Sequence, residues 1–227
     1  MKRTLLLALV VCLLTFGLAA AAGATDSDNQ SAKAADAQAV CQAASAAQWQ
    51  NPYHDLKQEG WYFSAVEYVC QKGLMRGISA TEFAPQGLIN RAQAAVIFYR
   101  AAGEPKALEQ AAAGDLQQTE LDAKAITWAV GEGLLIPDEN GNLNADLALT
   151  REMMAVMMFA YQKIEFVTME YNLLRFVDAD QVSPSASTAV NFYVGRGALS
   201  GYTDDSLRPQ SPLTRVEAAS FIHRCFK

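Results

Sequence analysis

Three arginines occupy the same place in a recurring pattern, and each of them is suited to binding a carboxylate. Arg91, Arg151 and Arg215 each lie 18 residues after a glycine and directly after an Asn or a Thr. Because Asn and Thr are good helix N-caps, each arginine is predicted to open a helix. A helix N-terminus favours an anion, and a guanidinium group holds a carboxylate in bidentate geometry. The pattern therefore predicts three related anion sites.

The same arginines have a second interpretation, in which they only stabilise the fold. Asp55, Asp115 and Asp178 also recur, at 10, 10 and 11 residues ahead of a repeated Ala-Val or Ala-Ile pair. An arginine held by a neighbouring repeated aspartate would be a structural ion pair. From the residues alone, both interpretations stay open.

One aromatic residue and two glycines extend the predicted site. The ring of Trp61 can stack on a sugar, as aromatic faces do, or it can pack into the core. Its counterparts in the pattern are Leu121 and Ser185. Gly77 and Gly201 allow either a close ligand approach or a tight turn, and the turn is the simpler explanation.

Composition and motifs argue against several classes of function. The chain has 227 residues and a formal net charge of −6, with no basic run, so it lacks the signature of a nucleic-acid-binding surface. Its two histidines, His54 and His223, lie far apart, which does not fit most zinc enzymes or histidine-based triads. No nucleophile-elbow, zincin, phosphate-loop or dinucleotide-binding motif occurs. We therefore expect a non-catalytic protein without a cofactor or a metal.

Residues 138–144 alternate oxygen-bearing side chains in the manner of a calcium loop. Leu143 and Leu149 stand where such a loop needs a glycine and an acidic residue. The segment is therefore predicted to be a polar turn.

The arginines belong to a unit that is repeated three times in the sequence. Each unit is predicted to form a helix, a turn-rich loop and a second helix. In the first unit, the apolar pattern predicts a helix over residues 61–72. The second helices are predicted to start after Asn90, Thr150 and Thr214. Capping boxes are expected in the first and third units, whereas Met153 removes the box from the second unit.

The start of the chain is typical of an export signal. Lys2 and Arg3 precede an apolar run and then a stretch of small residues ending at Ala24, so residues 1–24 are predicted to be a cleaved signal peptide. Residues 25–50 are rich in Ala, Gln and Ser, which predicts a tail or a weak helix. No later segment is long and apolar enough to cross a membrane.

Three cysteines follow the predicted signal. Cys70 and Cys225 are interpreted as small core residues on helix faces. A disulfide between Cys41 and either of them is the alternative.

The repeated pattern resembles the S-layer homology (SLH) family. The closest first half of the motif is Asp55 with residues 61–62 and 65–66, and the closest second half is residues 197–209 with 213–217. The resemblance implies an all-α, pseudo-threefold, three-pronged domain of three helix-loop-helix repeats. The repeats are expected at 51–104, 111–163 (degenerate) and 176–227, with a connector at 164–175.

The resemblance also implies a function. Such domains bind secondary cell-wall polysaccharides, commonly pyruvylated glycans, and anchor exported proteins to the bacterial cell wall. The glycan-binding residues it implies here are Arg91, Arg151, Arg215, Trp61, Asp55, Asp178, Gly77 and Gly201. The alternative is a degenerate triad that acts as a structural or protein-binding subunit of the cell envelope, with another envelope protein as its partner.

The second unit departs from the family pattern at Pro137, Ala145 and Met153. For that reason, no more than two competent grooves are expected. The connector after this unit carries several apolar residues, and an extension of the preceding helix is predicted there.

Overall fold

The computed structural model describes residues 49–105, 120–165 and 172–227. These residues form six α-helices and no strand, so the all-α prediction is confirmed. Two short 3-10 helices, Asn172–Arg175 and Ala179–Gln181, precede the first α-helix of the third unit. The α-helices are α1 (Phe63–Gln71), α2 (Arg91–Ala101), α3 (Glu120–Gly131), α4 (Arg151–Tyr161), α5 (Ser187–Gly195) and α6 (Arg215–Phe226).

The second helices begin where the capping residues predict. The Asn90 side chain accepts a hydrogen bond from the Gln93 amide at 2.8 Å, and the Gln93 side chain accepts one from the Asn90 amide at 3.2 Å. Thr214 and Glu217 form the same capping box at the start of α6. Thr150 caps α4 alone, because the methionine three residues later cannot reach back. All three predictions are confirmed.

A closed ring of backbone hydrogen bonds joins the three units around a pseudo-threefold axis. The amide of Leu149 donates to the carbonyl of Ile89 at 2.8 Å, and the amide of Leu213 donates to Leu149 at 2.8 Å. The amide of Ile89 then donates to Leu213 at 3.1 Å, which closes the ring. The three side chains are at most 2% exposed. Each unit is thus both donor and acceptor to a neighbour.

Helix packing follows the same cyclic order. The second helix of each unit packs against the first helix of the next unit, so that α2 contacts α3, α4 contacts α5 and α6 contacts α1. Short helices bury too little apolar surface to be stable alone, so the inter-unit contacts supply most of the core. Phe83, Leu143 and Leu207, which match in the repeat, are all buried in that core.

Two helices end or begin at residues other than those predicted. Helix α1 is shorter than the predicted 61–72, because it starts after Trp61 and Tyr62. The predicted extension of the helix before the connector is wrong. Helix α4 ends at Tyr161, and Lys163 has a φ of 51°, which a continuing helix does not permit.

Other expectations concern residues outside the described ranges. These are the signal peptide, the tail up to residue 48, Cys41, Asp115 and part of the connector. Within the described residues, no helix has the length and apolar character to span a membrane.

Cys70 and Cys225 are free thiols that pack against the core, as predicted. Burial raises the pKa of both thiols, and that of Cys225 reaches about 12. Because the thiolate is the reactive form, a raised pKa slows reaction with electrophiles.

We expect the two core thiols to resist alkylation in the folded protein. Iodoacetamide at pH 8, followed by peptide mass mapping, should label Cys70 and Cys225 much more slowly than in urea. Equal labelling rates in the folded and the urea-unfolded protein would contradict the burial of these thiols.

The burial of Leu149 at the axis predicts that truncating its side chain costs much more stability than truncating that of Leu147, two residues earlier. Leu149→Ala removes a side chain that is 0% exposed at the axis, so it should lower the free energy of unfolding by about 2–5 kcal/mol. Leu147→Ala is the matched control, because that side chain is 60% exposed, and it should change the value by less than about 0.5 kcal/mol. Urea unfolding monitored by circular dichroism measures both, and similar losses would contradict the assignment of the core.

Candidate functional site

Two of the three repeated arginines hold the loop of the next unit. The Nε of Arg215 donates to the carbonyl of Phe83 at 2.8 Å, and its Nη2 donates to Arg76 at 2.6 Å. Arg151 makes the equivalent bonds to Leu207 at 2.9 Å and Ser200 at 2.6 Å. Both arginines are at most 7% exposed. Each therefore joins two units as well as lining a groove between them.

Arg91 is held less completely than its two equivalents. Its Nη2 donates to the carbonyl of Ile136 at 3.1 Å, but its buried Nε has no hydrogen-bond partner among the described residues. The equivalent acceptor would be Leu143. Burial lowers the pKa of Arg91, although an arginine remains charged at neutral pH.

The first backbone amides of the second helices already donate hydrogen bonds to carbonyls of a neighbouring unit. The amide of Arg151 donates to Ser211 at 3.2 Å, and that of Glu152 donates to Pro209 at 3.0 Å. The other two units repeat these bonds in cyclic order. A ligand in these grooves would therefore meet guanidinium groups rather than open helix amides.

Asp55 and Asp178, the two repeated aspartates in the described part of the chain, hold loops and form no ion pair there with a repeated arginine. The two carboxylate oxygens of Asp55 accept hydrogen bonds from the amides of Phe83 and Ala84, at 2.9 and 2.7 Å. Asp178 accepts from Leu207 and Arg208 in the same way, both at 2.7 Å. Ala84 and its counterpart have positive φ values of 57° and 54°, and the carboxylates stabilise this unusual conformation. Asp55 and Asp178 thus position the loops that border the grooves.

The two predicted glycines let an aromatic ring approach the loop. A Cβ atom on Gly77 would collide with the ring of Tyr53, whose hydroxyl accepts a hydrogen bond from the Gly77 amide at 2.8 Å. A Cβ atom on Gly201 would collide with Phe176 in the same way. This close approach requires glycine within the fold itself.

Three grooves, one beside each repeated arginine, lie between the units. Groove A contains Arg151, groove B contains Arg91 and groove C contains Arg215, and their volumes are about 460, 310 and 280 Å³. Each groove combines the arginine of one unit with the loop and second helix of the next. The grooves are therefore pseudo-equivalent, and their differences come from side chains.

Groove A brings together residues from all three units. Trp61 of the first unit lines it and is 64% exposed, as a ligand-stacking residue must be. Arg151 comes from the second unit, and Arg224 comes from the last turn of α6 in the third. Gly201, in the bordering loop, also lines the groove. The structure thus joins Trp61, Arg151 and Gly201 of the predicted set.

A network of charged and aromatic groups orders one wall of groove A. The Tyr202 hydroxyl donates to Glu217 at 2.6 Å, and the Arg151 guanidinium lies 4.9 Å from the Tyr202 ring centroid. Burial alone would raise the pKa of Glu217, but hydrogen bonds from Tyr202 and Thr214 and the nearby Arg151 outweigh it and lower the pKa. Glu217 is therefore ionised at neutral pH and serves both the groove and the capping box.

Three donor groups on two side chains of groove A have no acceptor within the described residues. The Nη1 of Arg224 donates to the Ser200 hydroxyl at 2.7 Å and to the Ala198 carbonyl at 3.4 Å. Its Nε and Nη2 are left without an acceptor. The hydroxyl of Ser220 is buried without a partner, and this residue is 7% exposed. Buried polar groups are normally paired, so an unpaired group lining a groove is suited to a polar ligand.

Sequence reasoning missed three residues of this groove: Tyr202, Ser220 and Arg224. One signal was present, because Arg224 and Arg100 stand nine residues after a repeated arginine in the third and first units, and Ala160 replaces them in the second. Tyr202 and Ser220 have no counterpart of the same type, so the repeat pattern does not single them out.

The family model for the S-layer homology domain matches residues 52–95 and 175–219. These segments hold the loops and the starts of the second helices described above. These two segments of the chain thus match the S-layer homology family. The described part of the unit between the two matched segments also has two α-helices and takes part in the same ring of backbone hydrogen bonds.

Several curated proteins are similar to the repeat region. An "Endoglucanase" of Bacillus sp. (strain KSM-635) is 27% identical over 175 residues, which cover 75% of this chain and 18% of that protein. The "Surface-layer 125 kDa protein" of Lysinibacillus sphaericus is 29% identical over 145 residues, 60% of this chain and 12% of the relative. The "Cellulosome-anchoring protein" of Acetivibrio thermocellus is 27% identical over 186 residues, 77% of this chain.

The likeness covers only a minor part of each relative. The chain spans 39% of the Cellulosome-anchoring protein and smaller shares of the other two. What these proteins share with the chain is therefore its S-layer homology region.

The charge state of Glu217 predicts a change in stability with pH. Because its pKa is lowered in the folded protein, its contribution is present above the unfolded-state pKa of about 4.3 and is lost as pH falls through the lower folded value. We expect Glu217→Gln to lose about 1 kcal/mol at pH 7, because glutamine can keep the capping box but not the ionic interactions with Tyr202 and Arg151, and to match the wild type more closely at pH 3. Urea unfolding at both pH values measures this, and an equal gap at both would contradict it.

Proposed function

We propose that the protein is an exported, non-catalytic module that binds a secondary cell-wall polysaccharide through groove A and thereby anchors to the bacterial cell wall. The S-layer homology repeats and the names of two relatives, a surface-layer protein and a cellulosome-anchoring protein, support anchoring at the cell surface. The observation that carries the choice of groove is the meeting of exposed Trp61 with Arg151 and Arg224.

The proposed ligand is an anionic glycan, such as one that carries a pyruvate ketal. Its carboxylate would bind the free donors of Arg224 beside Arg151, in charge-assisted hydrogen bonds. A sugar ring would stack on the exposed face of Trp61, and a hydroxyl of the glycan would accept from Ser220. The lining residues carry two cations and one acid, so groove A attracts an anion even though the whole chain is acidic.

The remaining predicted residues take indirect or secondary roles in this proposal. Asp178 and Gly201 would set the loop that borders groove A, and Asp55 and Gly77 would do the same at groove C. Groove C, which contains Arg215, is a second anion site in the proposal, because three cations and one acid line it. The signal peptide over 1–24 and the repeat boundaries given above are part of the same proposal.

Co-sedimentation with cell-wall sacculi tests the proposal directly. The protein should pellet with sacculi that retain their secondary polymer and not with acid-stripped sacculi. Trp61→Ala and Arg224→Gln should each weaken binding by about tenfold or more, equivalent to about 1.4 kcal/mol, because they remove a stacking surface and an ionic hydrogen bond.

Leu147→Ala is the matched control, since Leu147 is an exposed apolar residue outside the grooves. It should bind as the wild type does. Binding that persists on stripped sacculi, or that is unchanged in both groove variants, would overturn the assignment of groove A.

A further inference from the structure

Groove B differs from grooves A and C in its chemistry, although the three are built alike. Where groove A has Glu217, Ser220 and Arg224, the equivalent positions of the second unit are Met153, Val156 and Ala160. Groove C retains polar residues at two of these three positions, Gln93 and Arg100. Met153 and Val156 are half-buried, and both line groove B. Only in the second unit are all three of these positions apolar.

The charge of groove B also differs. One cation, Arg91, faces two acids, Asp138 and Glu152, whereas cations outnumber acids in grooves A and C. The loop beside it, residues 138–149, adds Glu139 and Asp146 and contains no Lys or Arg. All three loop acids, Asp138, Glu139 and Asp146, are exposed. An anionic polymer would be repelled here, whereas a basic segment would be attracted.

The shape and edges of groove B are suited to a peptide. Its volume of about 310 Å³ is roughly ten times the share of one water molecule, which is room for a large apolar side chain. Ile136 borders it with 67% exposure, and Met157 lies at its base with 3%. Arg91 has an Nη1 group without an acceptor among the described residues, which can bind a peptide carbonyl.

We propose that groove B is a docking slot for a segment of another protein, in which a large apolar side chain is flanked by basic residues. The apolar side chain enters between Met153, Val156 and Met157, and the flexible thioethers of the two methionines adapt to its shape. The basic residues lie against the acidic loop. This binding is separate from the glycan binding proposed for groove A and does not depend on it.

Methyl NMR of the methionines gives a direct test with synthetic peptides. Three acetylated and amidated pentapeptides serve as probes: Lys-Ala-Leu-Ala-Lys, Glu-Ala-Leu-Ala-Glu and Lys-Ala-Ser-Ala-Lys. The first should shift the ε-methyl signals of Met153 and Met157 saturably, and the other two should bind at least about tenfold more weakly. The signal of Met158, which is 0% exposed in the core, should not move.

Two substitutions locate the binding. Ile136→Ser changes an exposed residue at the edge of groove B, and Val156→Ser installs the residue of the third unit. Each should weaken the first peptide by about fivefold or more, whereas Leu174→Ser, at a residue that is 78% exposed and belongs neither to the groove nor to its acidic loop, should not. Both groove B variants should sediment with cell walls as the wild type does.

Three results would overturn the proposal: no saturable shift with the basic leucine peptide, equal binding of the acidic one, or equal effects of Ile136→Ser and Leu174→Ser. Any of these results leaves the glycan proposal intact. Conversely, loss of wall binding by Trp61→Ala with normal peptide binding would separate the two grooves functionally.

Discussion

The fold depends on a cyclic exchange of backbone hydrogen bonds at the axis. Ile89, Leu149 and Leu213 each donate to one neighbouring unit and accept from the other, and their side chains fill the centre of the core. Such a ring closes only if all three units are present in one order. Helix packing and the bonds from the repeated arginines to carbonyls follow the same order.

Because the units interlock, each groove is assembled from different parts of the chain. Groove A takes its exposed tryptophan from the first unit, its buried arginine from the second and its loop from the third. A buried arginine that binds two carbonyls is held rigidly, so it can present its remaining donors at a fixed place. In groove B, Arg91 lacks one of these bonds, and most of the lining residues are apolar. The same architecture thus supports two kinds of surface.

Local signals in the sequence predicted the local structure well. The N-caps, the capping boxes and the loss of one box at Met153 depend on residues three apart, which the sequence displays directly. The partners of Asp55 and Arg215 lie 28 and 132 residues away, so their roles as loop and unit connectors depend on the cyclic arrangement. Arg224 was not predicted as a site residue for a different reason. A cation in the last turn of a helix is common, because it interacts favourably with the helix dipole. The assignment of a glycan to these residues stays a prediction.

The closed ring formed by the three units restricts how the number of repeats can change in evolution. In an open helical array, a unit can be gained or lost at an end, because each unit touches only its neighbours. Here α6 packs on α1, so removing or adding one unit would leave two helix faces without their partners. The number of units is then fixed by geometry, and new properties must arise by substitution within a unit. Divergence of the middle unit, with its acidic loop and apolar groove, is an instance of that route.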